Sequence, residues 1–416
     1  MRVEPTRDPH VLTRFYLYSI LKNSRFGEAF LVLYLRELGH SFALIGLVLG
    51  AQHMVTALLE LPLGVAADRW GRRMSLAAGF LFYVVAFGGF ALLPRIGVAG
   101  LWATVALFSV AEALRTGSHK AIILDYLDGR GESDRATSVI GRTRMASKST
   151  SALAGLIGGL MLYATGSYPP LYAASAVAAL GGFFLMLSYP RALEGEQRRE
   201  RERQPGATEP SLLQRARKLF SRPGFGRLLL QSALFEVQVK ASSKYYLQPL
   251  MQQGLAGFGL PVPGVGAVWI GATEAARDGL GAVGARGSTG LERRVGGGLR
   301  ALRLAYVAAL VLALGVAWTA RNDLMVGVVA MLLAMTYLQN ARRPVFISVF
   351  NGRVDQAQRA TGLSLESLVR NALLTVLLPV TGALADAFGL WAAFALTFAL
   401  LLPGVLLLRA PVGATK

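Results

Sequence analysis

Charged side chains recur inside apolar stretches of this 416-residue chain at helical spacing. Lys22, Arg25 and Glu28 are three apart. Glu112, Arg115 and His119 follow at three and four, with Lys120 beside them, and Glu236, Lys240 and Lys244 are four apart. Each set falls on one face of a helix. Glu274 with Arg277 and Asp278, Gln339 and Asn340 with Arg342 and Arg343, and Glu366 with Arg370 make three further groups. A charge near the bilayer centre costs about 2.5 to 3.5 kcal/mol on insertion scales, so those that persist face a protein interior or a watery cavity. Such groups hold small charged solutes or pass protons. Guanidinium forks and ammonium groups suit carboxylate and phosphate, and a buried carboxylate beside a movable cation can change protonation. The proton-handling candidates are Glu28, Glu112, Glu236 and Glu274, with His119 a further one. A competing reading makes Glu112–Arg115 and Glu236–Lys240 internal ion pairs that only fix helix rotation.

The elements that must position these residues are membrane spans. The chain is 53% hydrophobic and only 16% charged, with a mean hydropathy of +0.46, far from the soluble norm of about a quarter charged. A span needs roughly 20 mostly apolar residues. Segmenting at polar interruptions gives twelve, near 12–36, 42–67, 74–94, 98–126, 137–165, 169–189, 226–252, 261–285, 299–319, 323–350, 360–387 and 390–409. A net charge of +19 would suggest nucleic acid in a soluble protein, but the bases cluster in the connections of one side, among them Arg69, Arg72, Arg73, Arg130, Arg135, Arg293, Arg294 and Arg353. The other side carries little beyond Arg36, Arg95 and Arg321. By the positive-inside rule the basic side is cytoplasmic, both termini lie inside, and the number of spans is even. Met1–His10 lacks the apolar core and cleavage site of a removed signal peptide. With no Cys there is neither a disulfide framework nor a thiolate metal site, and nothing indicates a cofactor.

The apolar signal vanishes between Arg191 and Arg227, a run of interleaved bases and acids that separates an N-terminal bundle, 1–190, from a C-terminal bundle, 226–416, through a linker at 191–225. The halves repeat each other. Asp128-Gly-Arg130 matches Asn351-Gly-Arg353, and one residue of slip later Arg135-Ala-Thr137 matches Arg359-Ala-Thr361. Aligning Phe30–Leu35 with Tyr245–Leu250 sets Arg25 opposite Lys240. Repeats in the same direction, six spans apart, are related by an axis along the membrane normal.

Between the second and third spans the run Gly64-Val-Ala-Ala-Asp68-Arg69-Trp-Gly71-Arg72-Arg73 reads as a short cytoplasmic loop. Its pattern, G-x3-D-R-x-G-R-R, resembles the corresponding loop of major facilitator superfamily transporters, and Gly287–Arg294 is a degenerate copy lacking the Asp. The resemblance implies an all-α membrane protein of twelve transmembrane helices in two pseudo-symmetric six-helix bundles, the MFS fold. It implies that Asp68 meets the cytoplasmic start of the eleventh helix and that Arg72 reaches an acid closing the fourth, for which Asp125 and Asp128 are the choices. Gly64, Asp68, Arg69, Gly71, Arg72, Arg73 and Asp125 thus form an expected cytoplasmic gate. It also implies that the first, fourth, seventh and tenth helices line the central cavity. Those helices hold most of the awkward charges, and bases outnumber acids on them, so the expected solute is anionic or zwitterionic and organic.

The solute-binding set expected on those helices is Lys22, Arg25, Arg115, His119, Lys240, Lys244, Tyr245, Gln339 and Asn340. The expected activity is secondary transport across the cytoplasmic membrane by alternating access, with proton coupling open. The fourth-span Arg115-Thr-Gly117 is similar to, but altered from, the R-x3-G motif of proton-linked members. The alternative is a proton-antiporting exporter of amphipathic cations, supported by Ser151–Gly159, which is similar to part of the antiporter motif, and by aromatics including Tyr245. Close helix packing through small residues explains Ser151–Gly159 equally well. An enzyme is excluded on the residues present: His10, His40, His53 and His119 are scattered, and no H-E-x-x-H, Walker loop or nucleophile elbow occurs. The expected partners are a small solute, protons if coupled, and membrane lipid, with a monomeric chain and no nucleic acid.

Overall fold

The computed structural model describes residues 10–116, 118–190, 193, 217–221, 224–354 and 358–409. The expected linker falls mostly outside them. Every regular element among the described residues is helical. The first span is α1 (Val11–Asn23), a 3-10 turn at Glu28–Phe30 and α2 (Leu31–Glu37). The second is α3 (Phe42–Trp70). The third and fourth are α4 (Arg72–Arg115) with α5 (Ser118–Gly129), the fifth is α6 (Ala136–Thr165) and the sixth α7 (Pro169–Leu187). In the second half, α8 (Phe225–Lys240) passes through a π-helical turn, Ala241–Tyr246, into α9 (Leu247–Gly257). Then come α10 (Val265–Val295), α11 (Gly298–Arg321), α12 (Met325–Asn351), α13 (Arg359–Phe388), α14 (Leu390–Ala399) and α15 (Leu402–Arg409). Each of the twelve expected segments is therefore helical. Five stretches are by length and composition apolar enough to cross a membrane, Arg72–Gly129 among them.

α4 is two helices folded on each other at Gly97, whose φ of 61° breaks the helical path. A Cβ at Gly89 would meet Thr104 and one at Gly79 would lie 3.4 Å from the Ala111 carbonyl, so the two arms run antiparallel. The connection between the arms is thus nearly as short as a chain can make it.

The expected loop at Gly64–Arg73 is corrected. α3 continues as helix through Trp70, α4 starts at Arg72, and only Gly71 lies outside both, at φ 99°. A glycine carries that conformation without strain, so one residue joins the two helices. Likewise α10 runs ten residues beyond the expected end of its span and stops at Val295, before Gly296 and Gly297 at φ 74° and 130°.

The chain divides into two compact units, one from Met1–Glu28 with Met54–Thr208 and the other from Ala29–His53 with Glu209–Lys416. In the first, α4 packs along α7 and α1 along α6. In the second, α12 packs against α10 and α11, and α13 against α8 and α14. Its apolar core includes Phe225, Phe346 and Phe350 toward one end and Phe235, Tyr306 and Met335 toward the other. The first part of the second span, up to His53, is numbered within the first half but belongs to this second unit. It meets α13 backbone to backbone: a Cβ on Gly46 would sit 2.1 Å from the Leu378 carbonyl oxygen, and one on Gly382 2.2 Å from that of Phe42.

Candidate functional site

The first spans of both repeats are irregular at matching places. In the first unit Asn23, Ser24 and Arg25 turn their side chains onto the carbonyls of Ser19, Ile20 and Lys22, competing with the helix ladder, and α1 ends at Asn23. The neighbouring α7 satisfies the freed backbone. Tyr172 Oη donates to the Gly27 carbonyl at 3.0 Å, and the Phe26 N–H donates to Ser175 Oγ at 3.0 Å. In hydrocarbon, irregular backbone survives only where protein supplies such partners. Gly27 lies so close to the Tyr172 ring that a Cβ would be 2.7 Å from it.

This break delivers Arg25 to Glu112. Arg25 Nη2 donates to Oε1 at 2.7 Å, Arg115 Nη2 to Oε2 at 2.5 Å, and Tyr83 Oη to Oε1 at 2.6 Å. Arg115 Nε also donates to Tyr83 Oη at 3.1 Å, and the Arg25 guanidinium stands 4.7 Å from the Tyr83 ring centroid. Glu28, more exposed on its 3-10 turn, is 3.5 Å from Arg25. Lys22 lies in electrostatic range of both arginines and both glutamates, yet it makes no side-chain hydrogen bond or ion pair among the described residues. Three bases thus face two acids.

His119, expected among these residues, is buried instead between rings. It stacks on Tyr18 at 3.6 Å, meets Phe15 edge-on, and bonds Tyr189 Oη through Nε2 at 3.1 Å. Where α4 begins and α5 ends, Arg72 Nη1 meets Asp125 Oδ2 at 2.8 Å, while Asp128 accepts from Ser133. Arg73 is buried and donates to the carbonyls of Leu187 and Tyr189, at the carboxyl end of α7 where cations are favoured. Arg69 is exposed and Gly64 half-buried. The Asp68 side chain lies outside the described residues.

The second unit has its own cluster. Glu236 accepts from Arg370 Nη1 at 2.7 Å and from Arg343 Nη1 at 2.8 Å, with Arg342 at 4.0 Å. Arg343 Nη1 also reaches Glu366 Oε1 at 2.5 Å, where Ser232 Oγ donates at 2.5 Å. Arg342, 2% exposed, donates to Ser232 Oγ and to Gln339 Oε1 and lies 4.4 Å from the Phe235 ring centroid. Here too three bases face two acids. The competing reading of a Glu236–Lys240 pair gives way to these arginines, because the side chains of α12 and α13 reach Glu236 with geometry that suits a forked donor.

The π turn at 241–246 occupies the register of the break in the first span. Such turns are rare and concentrate at functional sites. Tyr245 Oη bonds His53 Nε2 at 2.8 Å, Tyr246 Oη pairs with Thr381, Ser242 pairs with Thr397, and Arg277 donates to the Ser243 carbonyl at 2.8 Å. Lys244 stands 5.9 Å from the Tyr245 ring centroid, and Lys240 is half-buried. Glu274 accepts from Gln248 at 2.6 Å and from Arg277 at 2.5 Å. Asn340 turns its amide to the Thr336 carbonyl and fills the seam left by Gly281 and Gly284. Sequence reasoning passed over Tyr83, Ser232 and His53. Tyr83 and Ser232 are neutral groups in apolar runs, and the charge pattern that marked the other residues does not mark them.

Comparison with known proteins agrees with this architecture. Among curated proteins, an uncharacterized MFS-type transporter of Bacillus subtilis (strain 168), YxaM, is 27% identical over 106 residues, 25% of this chain and 26% of that one. The chain therefore aligns with about a quarter of that relative. A mutant of the nucleoside transporter NupG superposes with a TM-score of 0.79 at 13% identity, covering 95% of this chain and 98% of that one. A bacterial homolog of the human lysosomal transporter Spinster gives 0.73 at 16%, covering 98% and 97%, and a D-xylose–proton symporter 0.70 at 14%, covering 98% of each. At such identities these likenesses speak to the fold. The profile of the Major Facilitator Superfamily matches residues 24–339, most of the chain. The chain belongs to the Major Facilitator Superfamily.

Proposed function

We propose that this protein is a secondary transporter of a small anionic or zwitterionic organic solute, working by alternating access in the cytoplasmic membrane with both termini inside. The observation that carries the reading is the excess of base over acid in the charged cluster of each unit. Lys22, Arg25 and Arg115 stand against Glu28 and Glu112, and Arg342, Arg343 and Arg370 against Glu236 and Glu366. A surplus cation in low dielectric favours an anion strongly. Lys22 is the anchor that supports this best, since its ammonium is not committed to an acid. The same excess disfavours an exporter of amphipathic cations, which calls for surplus acid.

The nucleoside and xylose carried by two of the structural relatives are neutral, so the sign of the charge is the point to test. A thermal-shift screen of the purified protein against matched sets of anionic, neutral and cationic metabolites does this. Stabilisation by anions, lost in Lys22→Gln, is expected. Stabilisation by cations or neutral sugars alone would remove the reading.

A further inference from the structure

We infer that the start of α11 is a docking site for an anionic phospholipid, whose phosphate lies between Arg300 and Arg303 while an acyl chain follows the outer face of the helix. One face of α11 is packed, with Leu302, Ala305, Tyr306, Ala309, Ala313 and Val316 buried. The opposite face carries Arg300, Arg303, Leu304, Val307, Val311, Leu314 and Trp318, which fall in one stripe at helical spacing. All seven are exposed, the five apolar ones by 49 to 67%. At 1.5 Å per residue Arg303 and Arg321, near the two ends of α11, are about 27 Å apart, close to the roughly 30 Å of a hydrocarbon core. Arg300 and Arg303 therefore stand at headgroup level. The run from Leu304 to Leu314 spans about 15 Å, the depth of one leaflet.

The bases at this end are uncommitted. Arg300 and Arg303, with Arg293 and Arg294 across the turn at Gly296 and Gly297, are exposed and make no ion pair or side-chain hydrogen bond among the described residues. The only acid from Gly279 to Asn322 is Glu292. It is half-buried and turned inward, its Oε1 lying 3.1 Å from where a Cβ on Gly298 would stand. The third span, which holds the same place in the first repeat, differs: it begins with Arg72 and Arg73, but the first pairs with Asp125 and the second donates to the carbonyls of Leu187 and Tyr189. Fixing topology needs bases only somewhere in the connection. Here two free guanidinium groups, whose forks suit a phosphate, head the same stripe that presents apolar side chains outward. Each base near a membrane surface draws anionic lipid by about fivefold.

The chain has no Cys, so Val311→Cys gives one thiol on the stripe for a fluorescent dye. In vesicles of phosphatidylcholine and phosphatidylglycerol at fixed composition, bromine is placed on the acyl chains of one lipid or of the other, and quenching of the dye reports which lipid lies beside it. Brominated phosphatidylglycerol should be favoured over brominated phosphatidylcholine by about fivefold or more. That preference should vanish when Arg300→Gln and Arg303→Gln are added, persist in part with Arg300→Lys and Arg303→Lys, and be absent for a dye on Val376→Cys, an exposed position of α13. Quenching by brominated phosphatidylcholine, retained in the double Gln variant, shows that the helix still faces lipid. Inorganic phosphate at matched ionic strength should leave the preference intact. Equal quenching by the two lipids at position 311, a preference that survives the double Gln change or is the same at position 376, or its abolition by phosphate overturns the inference.

Discussion

Asp386, near the end of α13, accepts the backbone N–H of Phe42 at 2.9 Å on one carboxylate oxygen, while its other oxygen takes the Ala43 N–H at 2.8 Å. The first turn of a helix offers unpaired donors and the positive end of a dipole, and one side chain answers both. Arg36 stands 3.7 Å from the same carboxylate. Both helix ends lie on the side opposite the basic connections.

Replacing Asp386 with Asn removes the charge and one acceptor. A loss of about 1 kcal/mol in stability is expected, as for other N-cap changes. Hydrogen exchange should speed at the amides of residues 42–45 and stay unchanged along α7. Equal protection in the variant would show that the contact does not hold this helix start.

Glycine at 46 is required by packing. Gly46→Ala forces backbone from backbone because its Cβ would meet the Leu378 carbonyl at 2.1 Å, whereas a Cβ on Gly88 meets nothing within 4 Å. Thermal unfolding should fall clearly in Gly46→Ala and hardly move in Gly88→Ala. Similar melting of the two would mean the seam between α3 and α13 is not tight.

Glu112 neutralises two arginines at once. Glu112→Gln leaves them buried with a weaker acceptor, a class of change that costs about 3 to 5 kcal/mol. Pairing Glu112→Gln with Arg115→Met should recover part of that loss in a thermal melt. For the same reason Arg115 is a poor probe of solute binding, since removing it strands Glu112, and Lys22 is the better one.

Arg72 and Asp125 form a partly buried pair at 2.8 Å. A double-mutant cycle with Arg72→Ala and Asp125→Ala should give a coupling of about 1 kcal/mol or less, given the exposure of both groups. Strictly additive losses would show the pair to be idle.

Much of the architecture is legible in the sequence because membrane spans write themselves as length and apolarity. The charged residues at 25, 112, 115, 236, 342 and 343 stand out for the same reason, as each violates that apolarity. Their partners are not legible. Spacing pairs Glu236 with Lys240, but reach across helices gives it to Arg343 and Arg370, and no one-dimensional pattern encodes which face of α12 turns toward α8. The extent of helices past the bilayer is equally hidden: Gly64–Trp70 has loop composition, yet a single glycine outside the helices suffices to connect α3 to α4. His119 shows the opposite limit. It lies in register with Glu112 and Arg115, and only the surrounding rings of Phe15, Tyr18 and Tyr189 reveal what it touches.

The π turn at 241–246 also bears on where the chain tolerates a change of length. A helix that accommodates surplus residue length in one wide turn can lose a residue there without rotating everything beyond it out of place, so this segment is where a one-residue deletion is best tolerated. The first repeat instead parts its helix at Ser24–Gly27. The two spans thus interrupt the regular helix at the same register with different backbones, one by a break and the other by a wide turn.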